Sequence, residues 1–187
     1  MISTNEFKRG IKIEYRDEPY EVLDFQHVKM GRGAAFVRAK LKGLRTGKTV
    51  EETFSAGDKV PKPDLQEKEM QYLYNQDNLY YFMDTETYEQ VPLTEEQLSD
   101  KRLYLKENTN VYILYYRDEA ISVELPNFVI LQVTQTEPGV KGDTASGGSK
   151  PAVVETGAAV KVPFHINEGD FIKIDTRTGE YIERAKG

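Results

Sequence analysis

Apolar and polar residues alternate with a period of two over short stretches of this chain, and almost nowhere at the three-to-four spacing of an amphipathic helix. Runs rich in Val, Ile, Tyr, Phe and Thr recur between turn signals, which predicts an all-β protein built of small barrels. In the first third the pattern predicts strands at 11–15, 20–28, 34–42 and 49–54, with turns at 16–19 and 45–48. Phe36, Arg38, Lys40 and Lys42 alternate with Val37, Ala39 and Leu41, so the basic side chains share one strand face and the apolar ones turn to a core.

Two prolines in Pro61-Lys62-Pro63-Asp64 disfavour sheet pairing and stiffen a linker, and Leu125-Pro126-Asn127 marks a second interruption. The chain is expected to form three modules, residues 1–63, 64–127 and 128–187. In the middle module strands are predicted at 69–74, 79–83, 111–116 and 121–125. One short helix is expected to start at Thr94, where Thr94-Glu95-Glu96-Gln97 matches a capping box. The last module is predicted to hold strands at 128–134, 152–155, 158–163, 171–174 and 181–184, with a long Gly- and Ser-rich loop over 137–149. Modules this small have modest cores without disulfides, so docking between neighbours is expected to add to their stability.

Charge changes the picture more than composition does. The formal net charge is −6, yet residues 1–60 carry +3, residues 61–128 carry −8 and residues 129–187 carry −1. Between Asp24 and Glu51 there is no acidic residue but there are seven basic ones: Lys29, Arg32, Arg38, Lys40, Lys42, Arg45 and Lys48. Such a stretch is a local positive field suited to phosphates, or else a basic hairpin in water. No run approaches the roughly 18 apolar residues of a spanning helix, and the start lacks a signal peptide's apolar core, so a soluble cytoplasmic protein is expected. The 187 residues include no cysteine and two histidines, His27 and His165, leaving little material for a metal site or a nucleophilic triad. Neither an enzyme activity nor a cofactor or metal is expected.

Lys29-Met30-Gly31-Arg32-Gly33 joins two predicted strands, and glycines on both sides of Arg32 permit the positive φ of a tight hairpin. Arginine keeps its charge, and its planar fork suits phosphate and ribose contacts better than proton transfer. The loop residues Gly142, Asp143, Thr144, Gly147, Gly148 and Lys150 form a second candidate, offering backbone amides and a cation to RNA phosphates. Their spacing is not that of a nucleotide-binding Gly-Lys-Ser/Thr loop. Of twelve tyrosines, nine lie in the acidic middle module, where repulsion of a polyphosphate favours packing over base stacking. Asp84, Glu86 and Glu89 are expected to be solvated.

The order of these pieces, with the ending Asp175-Thr176-Arg177-Thr178-Gly179-Glu180-Tyr181, resembles the bacterial elongation factor P family along the full length. The most specific match is Lys150, Ala152, Gly157, Val160, Val162, Pro163, Ile166 and Gly169 at that family's signature spacing. The resemblance implies a KOW/SH3-like barrel followed by two OB-fold barrels, in an L-shaped, tRNA-like outline. It further implies a factor that binds both ribosomal subunits beside the P-site peptidyl-tRNA and relieves stalling at consecutive prolines. Arg32 then matches the family's tip residue, directed at the peptidyl transferase centre with Lys29, Gly31 and Gly33, and open to a modification enzyme. Arg38, Lys40 and Lys42 would face tRNA or ribosomal RNA, and a monomer is expected. A paralogous elongation factor P-like family shares the module order but lacks the Asp-Thr-Arg-Thr-Gly-Glu-Tyr ending. A general RNA-binding or transcription-associated barrel protein is the alternative from another class.

Overall fold

The structure, a computed structural model, describes residues 1–29, 31–139 and 148–187. Its first sheet has the antiparallel order β2-β3-β4-β5, from Lys12–Tyr15, Glu18–Val28, Phe36–Gly43 and Thr49–Ser55. Alternation places Val37, Ala39 and Leu41 in a core with Phe7, Ile13, Val22 and Phe54, while Arg38 and Lys40 stay exposed. Two short strands that the pattern does not reveal, β1 (Ile2–Ser3) and β6 (Lys59–Val60), pair across the bottom of this core. The first turn is tighter than expected. Only Arg16 and Asp17 form it, both at positive φ, and Glu18 and Pro19 already belong to β3.

The second sheet comprises β7 (Leu65–Gln76), β8 (Leu79–Asp84), β9 (Gln90–Thr94), β10 (Asn110–Tyr116) and β11 (Glu119–Glu124), in the order β11-β10-β7-β8-β9. The third comprises β12 (Phe128–Thr136), β13 (Ser149–Val154), β14 (Ala159–Pro163), β15 (Phe171–Asp175) and β16 (Tyr181–Ala185), in the order β14-β13-β12-β15-β16. Numbered within each module, both read 3-2-1-4-5, and in both the shared central strand is bulged, at Tyr72/Tyr74 and at Val133/Gln135. A bulge sharpens local twist, which lets one strand serve both halves of a closing barrel. β9 escapes the sequence pattern because Pro92 interrupts a short edge strand.

The capping box forms as predicted. Thr94 Oγ1 accepts the Gln97 N–H at 3.1 Å, and Gln97 Oε1 accepts the Thr94 N–H at 2.9 Å, opening the helix α1 (Glu95–Leu98). A 3-10 helix over Ser99–Tyr104 follows and sends Leu103 and Tyr104 against the core of the third module. There Thr156 Oγ1 donates to the Leu103 carbonyl, and Thr176 Oγ1 donates to the Pro126 carbonyl, each at 2.5 Å.

The first two modules dock through a small apolar cluster of Leu44, Leu114, Tyr116 and Ile121 with Leu65 at its edge. Polar contacts surround it. The buried Tyr116 hydroxyl donates to Glu14 Oε1 at 2.5 Å, Arg117 contacts Asp17 at 2.6 Å, and Lys12 contacts Glu124 at 2.8 Å. Burial first, and the Glu14 carboxylate second, push the Tyr116 phenol up to about 12. Gly47, at φ 75°, lies so close to the Glu96 backbone that a Cβ would collide with it. Gln97 Nε2 donates to the Arg45 carbonyl at 3.2 Å beside it.

Asp84 corrects an expectation. Its side chain is buried, not solvated: Oδ1 accepts the Glu86 N–H at 2.8 Å and the Thr87 N–H at 3.3 Å, and Oδ2 pairs with Lys68. Lys68 and these amides hold its carboxyl at about 2, well below the unfolded carboxylate range. Because the folded pKa is depressed, the stabilisation is complete above the unfolded value, near 4, and disappears as pH falls toward 2. Thermal unfolding followed from pH 5 to 2 is therefore expected to show a drop in Tm that Asp84→Asn makes shallower, since the substitution removes the linked proton.

Candidate functional site

The long strands of the first module run antiparallel, so the turn at 16–17 and the turn at 44–48 share one end and the 29–35 connection forms the other. At that far end Val28 pairs with Phe36, and Ala56 N–H donates to the Ala35 carbonyl at 3.0 Å, closing the base of the tip. Lys29, Gly31, Arg32 and Gly33 are all exposed beyond it. Among the described residues, no hydrogen bond or ion pair within the chain uses Lys29 or Arg32. The guanidinium is thus presented without a partner among the described residues. Met30 lies outside the described residues.

A Cβ added at Gly31 would meet nothing among the described residues within 4 Å, so space alone does not require glycine at that position. His27, just before the tip, is exposed with its ring edge-on to Phe25 at 5.5 Å.

The three basic residues of β4 prove unequal. Arg38 lies opposite Gln26 and Thr53, neutral on both sides, and its guanidinium sits 6.0 Å over the Phe36 ring. Lys40 is exposed but stands between Asp24 and Glu51 on the neighbouring strands. Lys42, opposite Glu21, is half-buried in the cleft where the modules meet, beside Asp100 and Lys101. Burial, reinforced by the Lys101 charge, lowers its pKa from the ordinary lysine value. Sequence alternation placed all three on one face correctly but could not foresee that the second module covers one end of that face.

In the third module, Lys150 is not at the surface. It is 5% exposed, and its ammonium donates to the Glu137 carbonyl, tying together the two ends of the 137–149 connection. A cation so engaged is withdrawn from phosphate contact, contrary to its place in the predicted loop site. Gly148 is half-buried; Gly142, Asp143, Thr144 and Gly147 lie outside the described residues. Most middle-module tyrosines pack as expected, Tyr72 and Tyr116 fully, although Tyr74, Tyr88 and Tyr112 are exposed.

Comparison with known proteins matches the three modules in turn. Residues 3–60 match the elongation factor P KOW-like domain, residues 65–123 the elongation factor P OB domain, and residues 129–184 the elongation factor P C-terminal domain. The chain belongs to the elongation factor P family. It is 58% identical to elongation factor P of Thermodesulfovibrio yellowstonii over 186 residues, covering all of both chains. It is 59% identical to that of Natranaerobius thermophilus over 187 residues, again covering both completely. Among solved structures it is similar to an initiation factor 5A from Methanococcus jannaschii, with 21% identity and a TM-score of 0.48, over 67% of this chain and 90% of that one. Membership of the elongation factor P family makes this a translation elongation factor, with a KOW-like domain bearing the Arg32 tip. No helix among the described residues is long and apolar enough to cross a membrane.

The covered end of the basic face has a measurable signature. Side-chain NMR titration is expected to place the Lys42 ammonium below the ordinary lysine pKa, and Lys101→Met is expected to move it back upward. No response to Lys101→Met would mean that the two ammonium groups are not neighbours in solution.

Proposed function

We propose that this protein binds the ribosome beside the P-site peptidyl-tRNA and promotes peptide-bond formation where consecutive prolines stall it, with Arg32 as the positioning group. The observation that carries the reading is the presentation of Arg32: a charged fork with no hydrogen bond or ion pair among the described residues, on an exposed, glycine-flanked tip at the far end of the first sheet, where β3, β4 and β5 pair side by side. A group of this kind is poorly suited to proton transfer but well suited to holding a phosphate or ribose in place. The ribosome performs the chemistry. Proline is a constrained acceptor and a stiff donor, and holding the peptidyl-tRNA near its attack geometry can lower the barrier by several kcal/mol.

Arg38 and Lys40 support docking along an RNA backbone, while Lys42 belongs to the contact with the middle module. The acidic middle module, at −8 over residues 61–128, would be repelled by RNA and is assigned to holding the other two apart. The three modules, residues 1–63, 64–127 and 128–187, act as a monomer, and the exposed Arg32 is accessible to a modifying enzyme. The exposed tip also fits the alternative of a general RNA-binding protein, which would bind free RNA and ribosomes equally.

In a reconstituted translation system lacking this factor, added protein is expected to remove the toeprint of a ribosome stalled at a proline run. A stall that persists at saturating, natively modified protein would overturn the assignment. Arg32→Ala is expected to slow bond formation at the stall by at least about tenfold, roughly 1.4 kcal/mol of barrier, at saturating factor. Its effect on ribosome affinity should stay within about 1 kcal/mol, as for most single interface residues. Replacing Arg38 and Lys40 together by glutamine is expected to do the opposite. Affinity falls and its logarithmic salt slope drops by roughly 1.5, for two lost phosphate contacts, while the rate at saturation is retained.

A further inference from the structure

The tetrapeptide Tyr-Arg-Asp-Glu occurs twice in the sequence, at 15–18 and at 116–119. Both copies form two-residue hairpin turns with the Arg and the Asp at positive φ, Arg16 and Asp17 in the first module, Arg117 and Asp118 in the second. In both, the arginine lies over the ring of its own tyrosine, at 5.0 Å for Arg16 on Tyr15 and 4.8 Å for Arg117 on Tyr116. The turns are neighbours in space: Arg117 reaches across to Asp17 at 2.6 Å. Their glutamates converge on a third element. Arg45, from the turn between β4 and β5, contacts Glu18 at 2.6 Å and Glu119 at 3.9 Å, the equivalent residues of the two copies.

This clasp sits at the end of the first sheet opposite Arg32, and β4 alone spans about 24 Å at the ordinary strand rise. The apolar cluster of Leu44, Leu114 and Ile121 holds the modules together but is non-directional, so a slight rolling of one on the other costs it little. Forked arginine contacts and the buried Tyr116–Glu14 hydrogen bond are directional. Over an arm of about 24 Å a roll of about 10° moves the tip by about 4 Å, where misplacement by about 1 Å is enough to impair an oriented reaction.

We propose that Arg45 and Tyr116 are positioning residues for Arg32: together with the paired Tyr-Arg-Asp-Glu turns they fix the angle of the arm, and so the place of the tip, without touching RNA. The part of this that concerns bond formation rests on the function proposed above; the part that concerns the angle does not. Arg45 acts twice, through its side chain on both glutamates and through its carbonyl, which accepts from Gln97 at the helix α1.

The chain has no cysteine, so two introduced ones can carry spin labels without background. Ala34→Cys at the base of the tip and Glu107→Cys in the middle module are both exposed. Double electron–electron resonance between them is expected to give one narrow distance distribution, and the Arg45→Ala, Tyr116→Phe pair is expected to widen it at least twofold while unfolding remains a single thermal transition. On stalled ribosomes, the same pair without labels is expected to lower the saturating rate of bond formation at least fivefold, with the half-saturating concentration changed less than threefold. If the pair fails to fold, Arg45→Gln alone, which keeps the Tyr116–Glu14 hydrogen bond, is expected to show the same broadening in smaller degree. An unchanged distance distribution in folded variants would overturn the clasp. A widened distribution with a full saturating rate would overturn its link to Arg32, and failure of the unmutated protein to relieve stalling would count against the proposed function alone.

Discussion

Everything about the tip depends on the contact between the first two modules. An antiparallel sheet with both of its short turns at one end can be gripped at that end alone, and the remaining connection then projects as far as the strands are long. Here the grip combines an apolar centre, Leu44 against Leu114 and Ile121, with a rim in which Tyr116, Arg117 and Arg45 meet carboxylates of the other module or bridge between modules. The exposed ion pairs add little stability individually. Their contribution is geometric, because several forks engaged at once allow only one angle between the sheets.

Charge is divided along the same line. The arm is basic and the module that holds it is acidic, and at the dock Lys12 pairs with Glu124 and Arg45 with Glu119, while Arg117 and Asp17 pair with the signs reversed. Lys42 marks the boundary: it belongs to the basic strand by sequence, but burial against the middle module lowers its pKa and removes it from the free face. The overall charge of −6 therefore says little about the short stretch around Arg38 and the tip, where the exposed basic side chains of the first module stand.

Much of this was legible in the sequence. Period-two alternation locates the long strands to within a few residues, the capping box places α1, and the Gly-flanked Arg32 stands out from the pattern of charges alone. What escaped did so for physical reasons. β1 and β6 are two residues each and exist only because the chain ends of the first barrel come together, and β9 carries a proline. Asp84 and Lys150 read as surface charges because single-residue polarity says nothing of the amides, carbonyls and counter-charges that tertiary structure assembles around them. The repeated Tyr-Arg-Asp-Glu was visible in the sequence, yet its meaning required knowing that the two copies lie side by side.

The central claim is that a clasp at one end of the first module sets the place of Arg32 at the other. Electron cryomicroscopy of this protein on a ribosome stalled at consecutive prolines tests it most directly, because one map reports both the angle between the first two modules and the position of the tip. The account predicts that the two modules keep the relative orientation described here, with Arg45 between Glu18 and Glu119, and that the Arg32 guanidinium lies in hydrogen-bonding distance of the 3′ end of the P-site tRNA. A map in which the first module has rotated away from the clasp while Arg32 still reaches that end would contradict it.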